Sequence, residues 1–228
     1  VSPDVMGLGE VGPEDVVPEP ARSARGLFVT IEGGDGSGKS TQAALLESWL
    51  AGQGRTIIHT REPGGTDFGL EVREIVLHSR GHITPRAEAL LYAADRAQHI
   101  ATKVRPALAR GDVVIQDRYI DSSVAYQGSG RVLDGAEVRK ISEWATEGLR
   151  PDLTILLDLD EDEARARLDN AQKRFDRLEA EKSDFHRRVR ESFLAIAAAD
   201  PVRFVVIDAT KPPEVIAQLI RDRISTLL

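Results

Sequence analysis

The chain has 228 residues, 41% hydrophobic and 29% charged, the profile of an ordinary globular α/β domain rather than of a peptide module. Its formal net charge of -7 argues against a dedicated DNA or RNA binder, which needs a basic face to displace counterions. With no cysteine, no thiolate metal site and no apolar run near the roughly 20 residues that span a bilayer, the composition points to a cytoplasmic protein without nucleic-acid or membrane partners.

Residues 1–24 are acidic and punctuated by proline, with no basic n-region and no apolar h-region. They read as a flexible tail outside one domain spanning 25–228. From Gly26 the pattern alternates short β-branched runs with longer helical stretches. "GLFVTIE" predicts a first strand, Ser40 to Ala51 a helix, and "RTIIHT" a second strand. The turn "REPGGT" opens a helix through Leu77, and Pro85 stands near the start of a long helix reaching about Arg110. "GDVVIQD", "DLTILLDL" and "VRFVVIDA" predict three further strands, and Pro213 begins the last helix. Strands separated by helices imply parallel crossovers, hence an α/β fold: a five-stranded parallel sheet flanked by helices.

The stretch Gly33-x-x-x-x-Gly38-Lys39-Ser40 has a strand before it and a helix after it. Glycines let successive backbone N–H groups converge on a phosphate, and the helix N-terminus adds partial positive charge. Gly33, Gly34, Asp35, Gly36, Ser37, Gly38, Lys39, Ser40 and Thr41 are therefore the candidate ATP loop. Lys39 can reach the β- and γ-phosphates and the Ser40 hydroxyl can ligate Mg²⁺. Asp117, at the end of the third strand, is a second candidate for Mg²⁺, and Arg118 beside it a candidate phosphate-binding cation. A GTPase base reader is missing: the only asparagine is Asn170, followed by "AQK".

Several separated stretches together resemble the thymidylate kinase family in its bacterial form. They are "IEGGDGSGKSTQ" (31–42), "TREPGGT" (60–66), "RAEALLYAADRAQHI" (86–100), "DRYIDSSVAYQG" (117–128), "PDLTILLD" (151–158) and "FDRLE" (175–179). The resemblance implies a P-loop nucleoside-monophosphate-kinase fold with a lid at about 168–180, and a homodimer. It also implies the transfer of the γ-phosphoryl group of ATP, with Mg²⁺, to dTMP. In the same way it implies that Arg96 hydrogen-bonds the thymine base, Tyr92 stacks on it, and Ser123 and Gln127 lie at its edge. Tyr126 would crowd the 2′ position of the sugar and Asp35 would approach the sugar and phosphate. Arg73 and Arg118 would lie near the acceptor phosphate, with Glu62 and Pro63 where the second strand closes over it. The loop "DATKPP", Asp208 to Pro213, would border the adenine.

Some members of that family carry an arginine at the position of Gly36; with glycine there, the resemblance assigns the catalytic arginines to the lid. Arg177 aligns best, followed by Arg174 and Lys173. The nucleophile would be a dTMP phosphate oxygen, already ionised, so that alignment and charge neutralisation suffice. Two alternatives stay open. One is a deoxynucleoside kinase acting on thymidine, for which Glu62 could serve as base. The other is a nucleotide-binding switch without turnover.

Overall fold

The computed structural model describes residues 25–79, 81–131, 133–170, 177–179, 181 and 183–228. Residues 1–24, and with them the expected tail, lie outside the described residues, as do Lys173 and Arg174.

All five predicted strands form: β1 (Phe28–Gly33), β2 (Ile57–Arg61), β3 (Val113–Asp117), β4 (Leu153–Asp158) and β5 (Phe204–Asp208). They lie parallel in the order β2-β3-β1-β4-β5. Every residue of β1 is buried, as expected of a central strand covered on both faces. The one hydroxyl in its middle is satisfied across the sheet, Thr30 Oγ1 lying 2.9 Å from Thr154 Oγ1. The order reverses at β1: the chain first builds outward to β2 on one side and later to β4 and β5 on the other. Open α/β sheets bind ligands outside the carboxyl ends of strands at such a point.

The strands are joined through α1 (Lys39–Ala51), α2 (Asp67–His78), α3 (Pro85–His99), α4 (Arg105–Ala109), α5 (Ile120–Ser123), α6 (Gly135–Ala145), α7 (Glu161–Asn170) and α8 (Ser183–Ala199), and α9 (Pro213–Ser225) follows the last strand. Leu46 and Leu50 of α1 and Ile216 and Ile220 of α9 cover one face, against Val29, Ile31, Ile155 and Leu157. The opposite face is covered in two patches, one around Phe28, Val104 and Val114, the other around Leu156, Phe193 and Phe204.

The long helix expected from Pro85 to about Arg110 is helical throughout but not uniformly α. Between α3 and α4, Ile100–Val104 widens into π turns, and Arg105 N–H donates to Ile100 O. Pro106 has no N–H and its ring crowds the carbonyl four residues earlier, which a widened turn accommodates. A second π stretch, Val124–Gly130, follows α5, with Arg131 N–H donating to Tyr126 O at 2.9 Å. It carries Tyr126 and Gln127.

Candidate active site

The loop between β1 and α1 turns through glycines with positive φ, at 138° for Gly33, 80° for Gly36 and 93° for Gly38. Gly38 is the N-cap of α1 and supplies no side-chain cap, so the N–H groups of the first turn remain available to an anion. Lys39, 7% exposed, bends back over the loop: Nζ donates to Gly33 O at 3.1 Å and Gly34 O at 2.8 Å. Burial and the adjacent Arg118 push its ammonium below the usual lysine value. Ser37 is buried under the loop, its Oγ about 3.0 Å from where a Gly33 Cβ would stand.

Directly after β3, Arg118 adopts φ 66°, a left-handed conformation uncommon for a side-chain-bearing residue. Its N–H donates to Ile31 O and its carbonyl accepts from Gln116 Nε2, both at 3.0 Å. Turned this way, the guanidinium lies between the loop and the rest of the cleft. Nη1 donates to Gly33 O and to Ser122 Oγ at 3.2 Å, while Nη2 donates to Asp35 Oδ1 at 2.6 Å and to the Tyr126 hydroxyl at 3.2 Å. The guanidinium carbon also lies 4.8 Å from the centre of the Tyr126 ring. Burial alone would raise the Asp35 carboxyl, but Arg118 and Lys39 hold it well below the usual carboxylate range. Burial likewise opposes the Arg118 charge, and Tyr126, Asp35 and Asp117 outweigh it, so the guanidinium stays protonated.

Glu32, the residue before the loop, stands behind this cluster. Its carboxylate accepts from Tyr119 N–H at 2.8 Å and Ser122 Oγ at 2.5 Å, anchoring the segment that carries Arg118. Burial, then Asp121, pushes its pKa up to about 7 from near 4.5. The folded protein therefore holds this proton where an unfolded chain has released it, and stability from this group falls as pH rises from about 4.5 through 7. Glu32→Gln keeps an acceptor for Tyr119 and can donate to Ser122, but does not titrate. Urea denaturation at pH 5 and pH 8 is expected to show the variant gaining on the wild type by roughly 1–3 kcal/mol across that range. A difference that is flat with pH would remove Glu32 as the titrating group.

The far end of the cleft is built on α3. Arg96 is 1% exposed, and four of its five N–H groups are committed. Nε donates to Glu62 Oε2 at 2.7 Å, Nη1 to Ser142 Oγ at 3.0 Å, and Nη2 to Tyr119 O and Ser123 Oγ at 3.1 Å. Glu62 is thereby turned into the protein: its other oxygen lies 2.9 Å from His99 Nδ1 and the residue is 3% exposed. A carboxylate with both oxygens so engaged is not placed to deprotonate a neutral hydroxyl, and the thymidine-kinase alternative loses its base. Arg73 Nη1 donates to Pro63 O at 3.1 Å, and Gln127 Nε2 donates to Glu88 Oε1 at 2.9 Å.

One cleft of about 440 Å³ joins the two ends. It is lined by Asp35, Gly36, Gly38, Lys39, Ser40 and Thr41 of the loop, and by Glu62, Pro63, Arg73, Tyr92, Arg96, Asp117, Arg118, Ser123, Tyr126 and Gln127. Gly33 and Gly34 line a smaller adjoining hollow of about 60 Å³. Asp117 Oδ1 is buried without a hydrogen-bond partner and shares the cleft with the Ser40 hydroxyl. Two oxygen donors of this kind, completed by phosphate oxygens and water, suit Mg²⁺.

Arg177 is engaged elsewhere. Its Nε donates to Val76 O at 2.8 Å and its Nη2 pairs with Glu88, which anchors the segment to α2 and α3. Its neighbours Leu178 and Glu179 line the cleft instead, with Arg167 and Leu168 of α7. Arg167 Nη2 also donates to Ala209 O at 3.0 Å, and Gln42 Nε2 to Pro213 O at the same distance, so the Asp208 to Pro213 loop flanks the ATP loop. The motifs do not single out Glu32, Arg167, Glu179, Glu88 or His99. Glu32 abuts the loop and Glu179 closes the quoted "FDRLE", but charge and position alone do not separate them from surface residues.

A lysine-bearing glycine loop between β1 and α1 and a cleft at the carboxyl ends of a parallel sheet define a P-loop phosphotransferase of the nucleoside-monophosphate-kinase type. Residues 31–220 match the profile of the family described as thymidylate kinase. A thymidylate kinase of Leifsonia xyli is 71% identical over 199 residues, 87% of this chain and 94% of that relative. One of Clavibacter sepedonicus is 68% identical over 203 residues, 89% and 96% of the two chains. The crystal structure of thymidylate kinase from Ehrlichia chaffeensis superposes with a TM-score of 0.73 at 30% identity, covering 88% of this chain and 99% of that one. The chain belongs to the thymidylate kinase family.

Proposed function

We propose that the chain transfers the γ-phosphoryl group of ATP to dTMP, giving ADP and dTDP, with the two substrates at opposite ends of the single cleft. Membership of the thymidylate kinase family supports this reaction. The observation that carries the placement is Arg118. It bonds the carbonyl of Gly33 in the ATP loop and the Asp35–Tyr126 pair that faces the acceptor, so one cation borders both substrates.

In this reading the loop N–H groups and Lys39 hold the triphosphate, and Arg118 and Arg73 hold the acceptor phosphate. The attacking oxygen is a phosphate oxygen, ionised at neutral pH, so no side chain needs to remove a proton. What the residues contribute is alignment and neutralisation of charge on the moving group. A Mg²⁺ ion at Ser40 and Asp117 would add Lewis-acid neutralisation of the phosphates. Tyr92 offers its ring to the base and Arg96 its fifth N–H. Tyr126, tied to Asp35 and Arg118, occupies the sugar side and favours deoxyribose. Arg177, with Arg174, acts from the lid, whose closure excludes water; for Arg177 this requires exchanging its bond to Glu88.

The test is ADP formation from ATP with dTMP, dUMP, dGMP, AMP, thymidine or no acceptor, with and without a chelator. Turnover with dTMP that is abolished by chelation and restored by Mg²⁺ is expected. Turnover with thymidine but not dTMP, or without an acceptor, would overturn the reading.

Among the described residues no helix is long and apolar enough to cross a membrane. We place the protein in the cytoplasm as a homodimer. Ile75 of α2, Leu90 of α3 and Trp144 of α6 are 47%, 56% and 83% exposed on helices that pack side by side, a surface suited to a second copy. Sedimentation at micromolar concentration measures this directly; a monomer would refute it.

A further inference from the structure

His99 ends α3 and is fully buried, one helical turn after Arg96 on the same side of the helix. Its ring is engaged at both nitrogens. Nε2 lies 2.7 Å from Thr60 Oγ1 on β2, and Nδ1 lies 2.9 Å from Glu62 Oε1. The backbone of Gly65 closes a third side: a Cβ there would stand 2.4 Å from Nε2, so neither partner can carry more bulk.

The chemistry of these groups sets a direction. An ionised carboxylate only accepts, so Nδ1 carries a proton and donates to Glu62, while the Thr60 hydroxyl can donate to Nε2 and fix that tautomer. Glu62 is then held at Oε1 and turns Oε2 to Arg96 Nε, 2.7 Å away. A carboxylate without the His99 bond could rotate and draw the Nε edge of the guanidinium out of line with its bonds to Ser142, Tyr119 O and Ser123. Held at both oxygens, it joins Ser142, Tyr119 O and Ser123 in leaving the Arg96 fork one orientation, and the uncommitted N–H on Nη1 one direction.

We propose that His99 is a positioning residue for the acceptor: through Glu62 it sets the guanidinium of Arg96, and so the reading of the nucleobase. This rests on the proposed contact of Arg96 with the base of dTMP. His99 is sealed from the cleft and touches no substrate. A histidine that merely filled space at the β2–α3 contact would be replaced by leucine without consequence for dTMP alone.

The experiment compares His99→Leu, which fills the volume without a donor, with His99→Asn, whose amide N–H can take the place of Nδ1. KM for dTMP, KM for ATP, kcat and Tm are measured for each, alone and combined with Arg96→Lys, which keeps a charge for Glu62 but loses the fork. His99→Leu is expected to raise KM for dTMP about tenfold, with kcat changed less than about twofold and KM for ATP unmoved. His99→Asn is expected to recover most of that loss, and His99→Leu to add little once Arg96 is lysine. A full further effect in the Arg96→Lys background would overturn the positioning role while leaving the base contact standing. So would equal rises in both KM values, or an asparagine variant that folds as well as wild type yet is as impaired as leucine. If Arg96→Lys itself leaves KM for dTMP unchanged, the base contact fails, and this inference with it.

Discussion

Lys39→Ala is expected to lower kcat by on the order of 10³ while leaving the fold as stable as the wild type or slightly more so. The two effects have one cause. The ammonium is buried beside Arg118, and burial and that like charge already disfavour its protonated form, so the folded chain is strained by holding it. Removing it relieves that cost. What disappears, in the proposed reaction, is a cation that meets negative charge on the transferring phosphoryl group, leaving Arg118 to carry that charge alone beside the loop. Steady-state kinetics and a thermal melt on the same preparation check both halves. Turnover above a tenth of wild type would remove Lys39 from the transition state. A large fall in Tm would show that its bonds to Gly33 and Gly34 matter more for folding than the charge costs.

Arg96→Ala carries the second large effect, and here binding and stability fall together. Truncation removes four hydrogen bonds and leaves Glu62 with a buried carboxylate facing no cation. Breaking a buried pair from one side costs about 3–5 kcal/mol, much of it from the charge left behind. KM for dTMP is expected to rise as well, since the proposed contact of the fork with the base is lost. The two losses separate in the double variant Arg96→Ala with Glu62→Gln. With the stranded charge gone, urea denaturation is expected to show most of the stability restored, while KM for dTMP stays high. If stability is not restored, the loss lies in packing rather than in the unpaired carboxylate. If KM falls back, Arg96 acts on the substrate only through the shape of its surroundings.

Arg96 also shows how far the sequence could be read. Its place on a helix, its spacing from Tyr92 and its motif are all local, and they put it in the cleft. Its bonds are not local: Tyr119, Ser123, Glu62 and Ser142 lie 23, 27, 34 and 46 residues away. Nothing in the pattern of α3 says that the guanidinium is almost wholly buried, or that Glu62 pairs with it. Arg177 makes the same point in the segment expected to be a lid, where a charged stretch with mixed signs fits several registers. The contact with Glu88, 89 residues distant, decides which way it turns in this structure.

By itself the sequence determined the five strands, the parallel sheet, the phosphate loop and most of the cleft lining. The strands, the sheet and the loop depend on backbone preference and hydrophobic period over a few adjacent residues, with glycines where a tight loop demands positive φ, whereas the cleft lining came from the likeness of the motifs to one family. The tertiary structure alone decided which side chains pair behind the cleft: Glu32 with Ser122 and Tyr119, His99 with Thr60 and Glu62, Arg118 across the loop to Asp35. A long polar side chain can reach many partners. Which one it meets is set by elements far apart in the chain packing onto one sheet, and by the cost of burying any charge that packing leaves unpaired.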